Sequence, residues 1–179
     1  MRELALHILD VAENGITAGA DCLEILVDEA RKENLLKIVI KDNGRGIQAE
    51  TLSKITDPFY TTRTTRRVGL GLSLLETAAQ RCDGEFRIES KPGKGTRVIA
   101  TFVYDHIDRA PLGNMATTIA LLIAGNPDVD FIYKHMVDDK DFSLDTRELR
   151  EGLEDLSLTE PAVIHYLTQT IKDALDQLN

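Results

Sequence analysis

The sequence predicts an α/β fold, because segments with helical and with strand periodicity follow one another along the chain. From Leu4, apolar residues recur at i, i+4 and i+7, which is typical of an amphipathic helix with one buried stripe. The apolar run 35–40 has the length of a buried strand. Helical spacing returns over Leu70–Arg81, and residues 84–104 fit two strands joined by a Gly-rich turn.

The amino-terminal helix carries two polar residues, Asp10 and Asn14, one turn apart on the same face. A carboxylate and a carboxamide at this spacing can bind a hard cation through oxygen, or bind the cation and an attacking water, as phosphoryl transfer requires. The alternative is a solvated helix face, where Asp and Asn are usually found.

The run 35–40 leads into the turn Asp42-Asn43-Gly44-Arg45-Gly46-Ile47. A strand that ends in a carboxylate and two glycines lets backbone approach a planar ligand while Asp42 accepts a hydrogen bond from an exocyclic amine. This arrangement suits adenine. An ordinary surface turn after a strand uses the same residues and is the alternative.

Residues 57–68 are rich in Thr and Arg with little apolar periodicity, which predicts a loop. Gly69-Leu70-Gly71 then opens a helix whose free N–H groups and positive dipole end favour a phosphate. The loop arginines Arg63, Arg66 and Arg67 can neutralise a polyphosphate. A tight turn without a ligand is the alternative for the two glycines.

The hairpin turn Lys91-Pro92-Gly93-Lys94-Gly95-Thr96 completes the set of motifs. Thr96 either reaches a phosphate oxygen or starts the second strand. In their order, the five motifs resemble the asparagine box, the first glycine box, the phenylalanine box, the second glycine box and the final Gly-Thr of the GHKL ATPase superfamily. The resemblance covers residues 1–104, and P-F-Y-T-T-R and V-G-L-G-L-S-L are most similar to the histidine-kinase branch.

The resemblance implies the Bergerat fold, a two-layer α/β sandwich with a mixed sheet and helices on one face, which binds ATP with Mg2+. It implies that Asn14 is the Mg2+ ligand, that Asp42 reads adenine and that Thr96 braces the surroundings of Asp42. Gly44 and Gly46 correspond to the turn under adenine, and Gly69 and Gly71 to the phosphate-facing hinge. The matching boxes add further nucleotide-binding positions, namely Ile47, Phe59, Thr62, Arg63, Leu70 and Leu72.

Asp10 departs from the family pattern, which has a glutamate general base in the hydrolysing branch and often an asparagine in histidine kinases. The carboxylate of an aspartate lies about one methylene further from an attacking water than the carboxylate of a glutamate. Base catalysis by Asp10 is therefore left open. A phosphoacceptor histidine is commonly followed by an acidic residue, and none of the four histidines is. We therefore expect an ATP-binding domain without a dimerisation and phosphoacceptor domain. His7 either lines the pocket or, the favoured interpretation, is a hydrogen-bonded structural histidine.

Composition limits the class of protein. Cys22 and Cys82 have neither metal nor disulfide spacing, no apolar run approaches about 18 residues, and the amino terminus enters a helix directly, so we expect a cytoplasmic protein outside the membrane. Residues 1–104 carry fifteen basic and fifteen acidic side chains, and residues 105–179 carry six and fifteen, so the formal charge of −9 lies in the second range. This charge disfavours nucleic-acid binding. The acidic surface serves either solubility or docking of a basic partner.

Residues 105–179 form a second predicted region, a mostly helical acidic extension. The patterns predict a helix over Met115–Ala124, a hairpin with strands 129–137 and 142–144, and helices Thr146–Leu153 and Glu160–Leu178. The extension either packs on the ATP domain, which is favoured, or forms a dimer or partner surface.

The leading functional interpretation is a stand-alone Mg-ATP-binding protein that transfers the γ-phosphate in trans to a Ser, Thr or His of a partner. One alternative is a non-catalytic sensor of ATP and ADP that acts through partner affinity. Another is a slow gyrase-type hydrolase that dimerises with ATP, which is disfavoured because we find no transducer pattern after the hairpin.

Overall fold

A computed structural model describes residues 3–52, 70–152 and 157–179. The helices are α1 (Leu4–Thr17), α2 (Ala49–Leu52), α3 (Leu70–Arg81), α4 (Met115–Gly125), α5 (Thr146–Gly152) and α6 (Pro161–Leu178), and the strands are β1 (Cys22–Ala30), β2 (Leu35–Asp42), β3 (Phe86–Lys91), β4 (Gly95–Val103), β5 (Asp130–Val137) and β6 (Lys140–Asp145). Within the described ranges, no helix combines the length and the apolar character that a membrane span needs.

The six strands form one mixed sheet in the order β3-β4-β2-β1-β5-β6. All neighbouring strands are antiparallel except β1 and β5, which run parallel. A parallel pair requires a crossover, and here α4 lies in the connection between β4 and β5. The mixed sheet of the predicted fold is therefore confirmed.

Helices cover one face of the sheet and form the second layer. Strand residues alternate in burial, and the buried set of β1, Leu23, Ile25 and Val27, packs in one core with Leu4 and Ile8 of α1. Residues of α3, α4 and α6 belong to the same core. The two-layer α/β sandwich is confirmed.

Strand β1 is absent from the elements predicted above. Its side chains nevertheless follow the pattern of a half-buried strand, because Leu23, Ile25 and Val27 alternate with the polar Glu24 and Asp28. This alternation is the signal that could have identified β1.

The extension contributes two strands to the same sheet. β5 pairs with β1 in the register Leu23 with Phe131 and Val27 with His135, and β6 pairs with β5. The hairpin turn is tighter than predicted, because Asp138 adopts the left-handed conformation with a φ of 50° and Lys140 already belongs to β6. The extension therefore packs on the rest of the chain, which is the alternative that the sequence favours.

The connection between β4 and α4, residues 104–114, supports the start of α1. Glu3, at the N-cap position of α1, makes no side-chain capping bond. Instead the Leu4 and Ala5 N–H groups donate to the carbonyl oxygens of Pro111 and Leu112, at 3.0 and 2.8 Å. These contacts satisfy two amide groups that the first turn of any helix leaves without an intrahelical partner. The extension therefore fixes the helix that carries Asp10 and Asn14.

A polar cluster around Glu29 joins β1 to β5 at one end of the sheet. The Glu29 carboxylate lies 2.9 Å from His135 Nε2 and accepts hydrogen bonds from the Tyr104 hydroxyl at 2.9 Å and from Arg31 at 3.1 Å. His135 Nδ1 lies 2.7 Å from the Tyr133 hydroxyl. Burial alone would raise the pKa of Glu29, but the hydrogen bonds from His135, Tyr104 and Arg31 outweigh it and lower that pKa to about 2.

We expect the fold to lose stability in acid through Glu29. Because the folded-state pKa lies below the ordinary value of 4.5, the carboxylate stabilises the fold above pH 4.5 and this contribution disappears as the pH falls toward 2. Its full size is about 3 kcal/mol. In urea unfolding at pH 7, Glu29→Gln should lose about 2 to 3 kcal/mol, and the difference from the unaltered chain should shrink by pH 3. Glu33→Gln, at an exposed position, is the control. A difference that stays constant from pH 7 to pH 3 would contradict the assignment.

Candidate functional site

The last residue of β2, Asp42, lies directly beneath α1. A Cβ atom built on Gly15 of α1 would lie 2.9 Å from Asp42 Cβ and 3.2 Å from Asp42 Oδ2. Only glycine at position 15 lets the helix approach this closely. The contact places Asp42 beside the helix turn that carries Asn14.

One carboxylate oxygen of Asp42 is fixed by backbone amides. Oδ1 accepts hydrogen bonds from the N–H groups of Gly44 at 2.9 Å and Thr96 at 3.3 Å. Within the described residues, Oδ2 accepts none. Burial raises the pKa of Asp42, and the two amide hydrogen bonds partly offset that effect. The half-buried carboxyl group thus has an orientation fixed through Oδ1, and its other oxygen has no donor in the described part of the chain.

The glycine turn after β2 packs against the segment that follows α1. A Cβ on Gly44 would lie 2.9 Å from the Ala18 carbonyl oxygen and 3.1 Å from Asp42 Oδ1. The Arg45 N–H donates to the same Ala18 oxygen at 3.0 Å. Gly44 therefore permits close backbone packing between the turn and the end of α1.

Gly46 and Gly95 allow the turn to contact the β3–β4 hairpin. Gly46 has a φ of +68°, and a Cβ there would overlap the Lys91 carbonyl oxygen. Gly95 has a φ of +86°, and a Cβ there would overlap the Asp42 carbonyl oxygen. At both positions the conformation and the close approach require glycine.

Two further residues hold the turn in place and were missed in the sequence. The Ser90 hydroxyl accepts from the Ile47 N–H at 2.9 Å, donates to the Gly95 carbonyl oxygen at 2.9 Å and lies 2.8 Å from the Thr96 hydroxyl. Asn43 Oδ1 accepts from the N–H groups of Asp21 and Cys22, both at 3.0 Å. The cross-strand pairing of Ser90 with Thr96, which a hairpin register predicts, is the signal that could have found Ser90.

The start of α3 packs against α1 at Asp10. A Cβ on Gly71 would lie 3.1 Å from Asp10 Cβ, so the first turn of α3 adjoins the Asp10 turn. His7, one turn before Asp10, is buried with 3% of its surface exposed, and burial lowers its pKa. Its Nδ1 atom has no hydrogen-bond partner in the part of the chain that the structure describes.

The remaining predicted site residues divide into two groups. Phe59, Thr62, Arg63 and Gly69 lie outside the described residues, as do Arg66 and Arg67. Leu70 is the first residue of α3, Leu72 is part of the hydrophobic core, and Ile47 is half-buried beside Ser90. The structure thus brings together Asp42, Gly44, Gly46, Ile47 and Thr96 at one turn, and Asp10 and Gly71 at a neighbouring helix contact.

Comparison with models of known protein families identifies the class of protein to which the chain belongs. The family model described as histidine kinase-, DNA gyrase B- and HSP90-like ATPase matches residues 2–106. The chain therefore belongs to this family, which confirms the resemblance drawn from the motifs. Residues 107–179 lie outside the match.

Named relatives include several sensor kinases. The chain is 35% identical over 105 residues to the sensor protein kinase FleS of Pseudomonas aeruginosa, with 59% of this chain and 25% of that protein covered. It is 34% identical over 94 residues to sporulation kinase C of Bacillus subtilis, with 52% and 22% covered. The matched region thus spans about a quarter or less of each of these kinases.

A solved structure has a similar fold. The ATPase domain of Aquifex aeolicus MutL, solved with ADP, superposes with a TM-score of 0.53 at 15% identity, covering 95% of this chain and 70% of that one. At this identity the likeness concerns the fold alone. It extends over nearly the whole chain, beyond the region that the family model matches.

We expect Gly95→Ala to be far more destabilising than Gly93→Ala. Both glycines have positive φ angles, +86° and +72°, which cost an alanine about 1 to 2 kcal/mol. A Cβ at Gly93 meets nothing within 4 Å, whereas at Gly95 it overlaps the backbone of Asp42. Thermal or urea unfolding should show a loss of about 1 kcal/mol for Gly93→Ala and more than about 3 kcal/mol for Gly95→Ala. Equal losses would contradict the close approach described here.

Proposed function

We propose that the chain binds ATP with Mg2+ and transfers the γ-phosphate to a partner protein. The observation that carries the proposal is the geometry of Asp42, whose Oδ1 is fixed by the Gly44 and Thr96 amides while Oδ2 accepts no hydrogen bond from the residues that the structure describes. A carboxylate oriented in this way accepts a hydrogen bond from the exocyclic amine of adenine. Family membership and the ADP complex of the MutL domain support a nucleotide as the ligand.

The chemistry of the donor set fits a Mg2+ ion that is shared with ligand phosphates. Mg2+ is usually bound in proteins through one or two oxygen side chains plus phosphate oxygens and water. Asn14, one turn after Asp10, would provide the side-chain oxygen. The described residues contain no cluster of three His, Cys, Asp or Glu side chains that would form an all-protein cage. Bound there, the ion would neutralise phosphate charge.

The first turn of α3 would bind the phosphates, since the amino-terminal end of a helix presents amide groups and the positive end of the dipole to an anion. A hydroxyl or imidazole of the partner would attack the γ-phosphorus, and the bond from the γ-phosphorus to the bridging oxygen of ADP would break. Asp10 adjoins this turn through Gly71 and would accept the proton of an attacking hydroxyl.

Replacing Asp42 by Asn should abolish tight nucleotide binding. An asparagine at this position would present an N–H₂ group to the adenine amine, so two donors would face each other and a charge-assisted hydrogen bond would be lost. In titration calorimetry with Mg-ATP, affinity should fall about 10- to 100-fold. Asp83→Asn, at an exposed turn, should leave affinity unchanged. If the unaltered chain shows no Mg-ATP binding, or Asp42→Asn binds as tightly, the proposal is wrong.

Replacing Asp10 by Asn separates binding from phosphate transfer. Asparagine keeps the shape but cannot accept the proton, so we expect nucleotide affinity within about threefold of the unaltered chain and a loss of transfer of about 100-fold or more. The assay follows label from γ-labelled ATP into proteins of a source-cell extract. Binding by the unaltered chain without labelled protein or released phosphate would replace the kinase proposal by the non-catalytic sensor. Released phosphate without labelled protein would replace it by the hydrolase.

A further inference from the structure

The outer surface of the helical layer contains a groove between α1 and α4. Its cavity volume is about 490 Å³, and its walls include Leu9 and Ile16 from α1 and Leu121 from α4. Leu9 and Ile16 are seven residues apart, so the groove extends over about two helical turns, or roughly 10 Å. Among the described residues, its lining comes only from α1, from α4 and from Asn126, which follows α4.

The walls combine apolar and polar side chains, with Leu9, Ile16 and Leu121 beside Glu13 and Thr17. Leu121 is 58% exposed, which is high for a leucine on a solvated helical surface. Helix α4 contains no charged residue, and its outer positions are Thr117, Leu121 and Gly125. A helix on a solvated surface normally places charged or polar residues on its outer face. These walls are therefore suited to contact with another apolar surface.

One end of the groove is formed by the carboxyl ends of two helices. The connection 104–114 brings the amino termini of α1 and α4 together, so the two helices run parallel and end at the same side. Thr17 and Gly125, at their carboxyl ends, both line the groove. Neither helix has a basic residue in its last turn, so neither helix supplies a cation of its own to the negative end of its dipole. Glu13 adds a formal charge within the same wall.

We propose that this groove docks a short amphipathic helix of a partner protein, with apolar side chains along one face and a Lys or Arg at one end. The apolar face would lie on Leu9, Ile16 and Leu121, and the cation would lie beside Glu13 and the two helix ends. Charge argues against a second copy of this chain as the occupant, because each copy carries −9. The inference goes beyond nucleotide binding and does not require it.

The test is selection from a library of displayed peptides, each about three helical turns long, on the immobilised full chain without nucleotide. Enriched peptides should carry apolar residues at i, i+3 or i+4 and i+7, with a basic residue at one end. Synthetic copies of the enriched peptides should bind the unaltered chain. Their affinity for the Leu121→Glu variant and for the Glu13→Lys variant should be at least about tenfold lower. Tyr166→Glu is the matched control, because Tyr166 is 62% exposed on α6 and is absent from the groove. Circular dichroism verifies that each variant is folded.

Three outcomes would overturn the proposal. The first is the absence of enriched peptides, and the second is binding that Leu121→Glu and Glu13→Lys leave unchanged. The third is a dimer in sedimentation that Leu121→Glu abolishes, which would assign the groove to self-association. Repeating the binding measurements with Mg-ATP keeps this test separate from the proposed function, since peptide binding can succeed where nucleotide binding fails.

Discussion

The site depends on the close approach of α1 and of the β3–β4 hairpin to Asp42, the last residue of β2. Gly15 brings α1 onto Asp42, and Gly95 brings the β3–β4 hairpin onto the same residue from the other side. Among the described residues, Asp42 is therefore approached closely by the backbone of α1 and of the hairpin. Its Oδ1 is fixed by amides of two different segments, so the orientation of the carboxylate follows from how those segments pack. A binding group on rigid elements loses little entropy when a ligand binds.

Residues 105–179 also help to hold β1 and α1 in position. β5 continues the sheet beside β1, and the Glu29–His135 contact joins the two strands by a partly buried, charge-assisted interaction. The connection that leads to α4 also supplies the carbonyl oxygens that cap α1. Residues 105–179 therefore share the sheet and core of residues 1–104, and they position the helix that carries Asp10 and Asn14.

The sequence was most informative where local chemistry determines structure. Leu4 and its repeats predicted α1, and the glycines after Asp42 predicted a turn at a site of close approach, because spacing and φ requirements are local properties. The pairing of β5 with β1 could not be predicted in this way, since periodicity indicates a strand but not its neighbour. The roles of Ser90 and Asn43 depend on their partners, because a single polar side chain in a strand or turn has the same sequence pattern as a surface residue. The charged run around Lys140 predicts a turn, but charged residues are also common on an edge strand such as β6.

Helix α1 connects the features of this chain. One side carries Asp10 and Asn14, and Gly15 lies on Asp42, while Leu9, Glu13 and Ile16 line the groove toward α4. Because Gly15 is in van der Waals contact range of Asp42, α1 cannot move toward β2 without displacing that carboxylate. A segment that docks in the groove and a ligand that binds at Asp42 would thus contact the same rigid element. If the docked segment binds more tightly to one position of α1, it would change the affinity of the ligand at Asp42. The ligand would change the affinity of the segment by the same factor, as thermodynamic linkage requires.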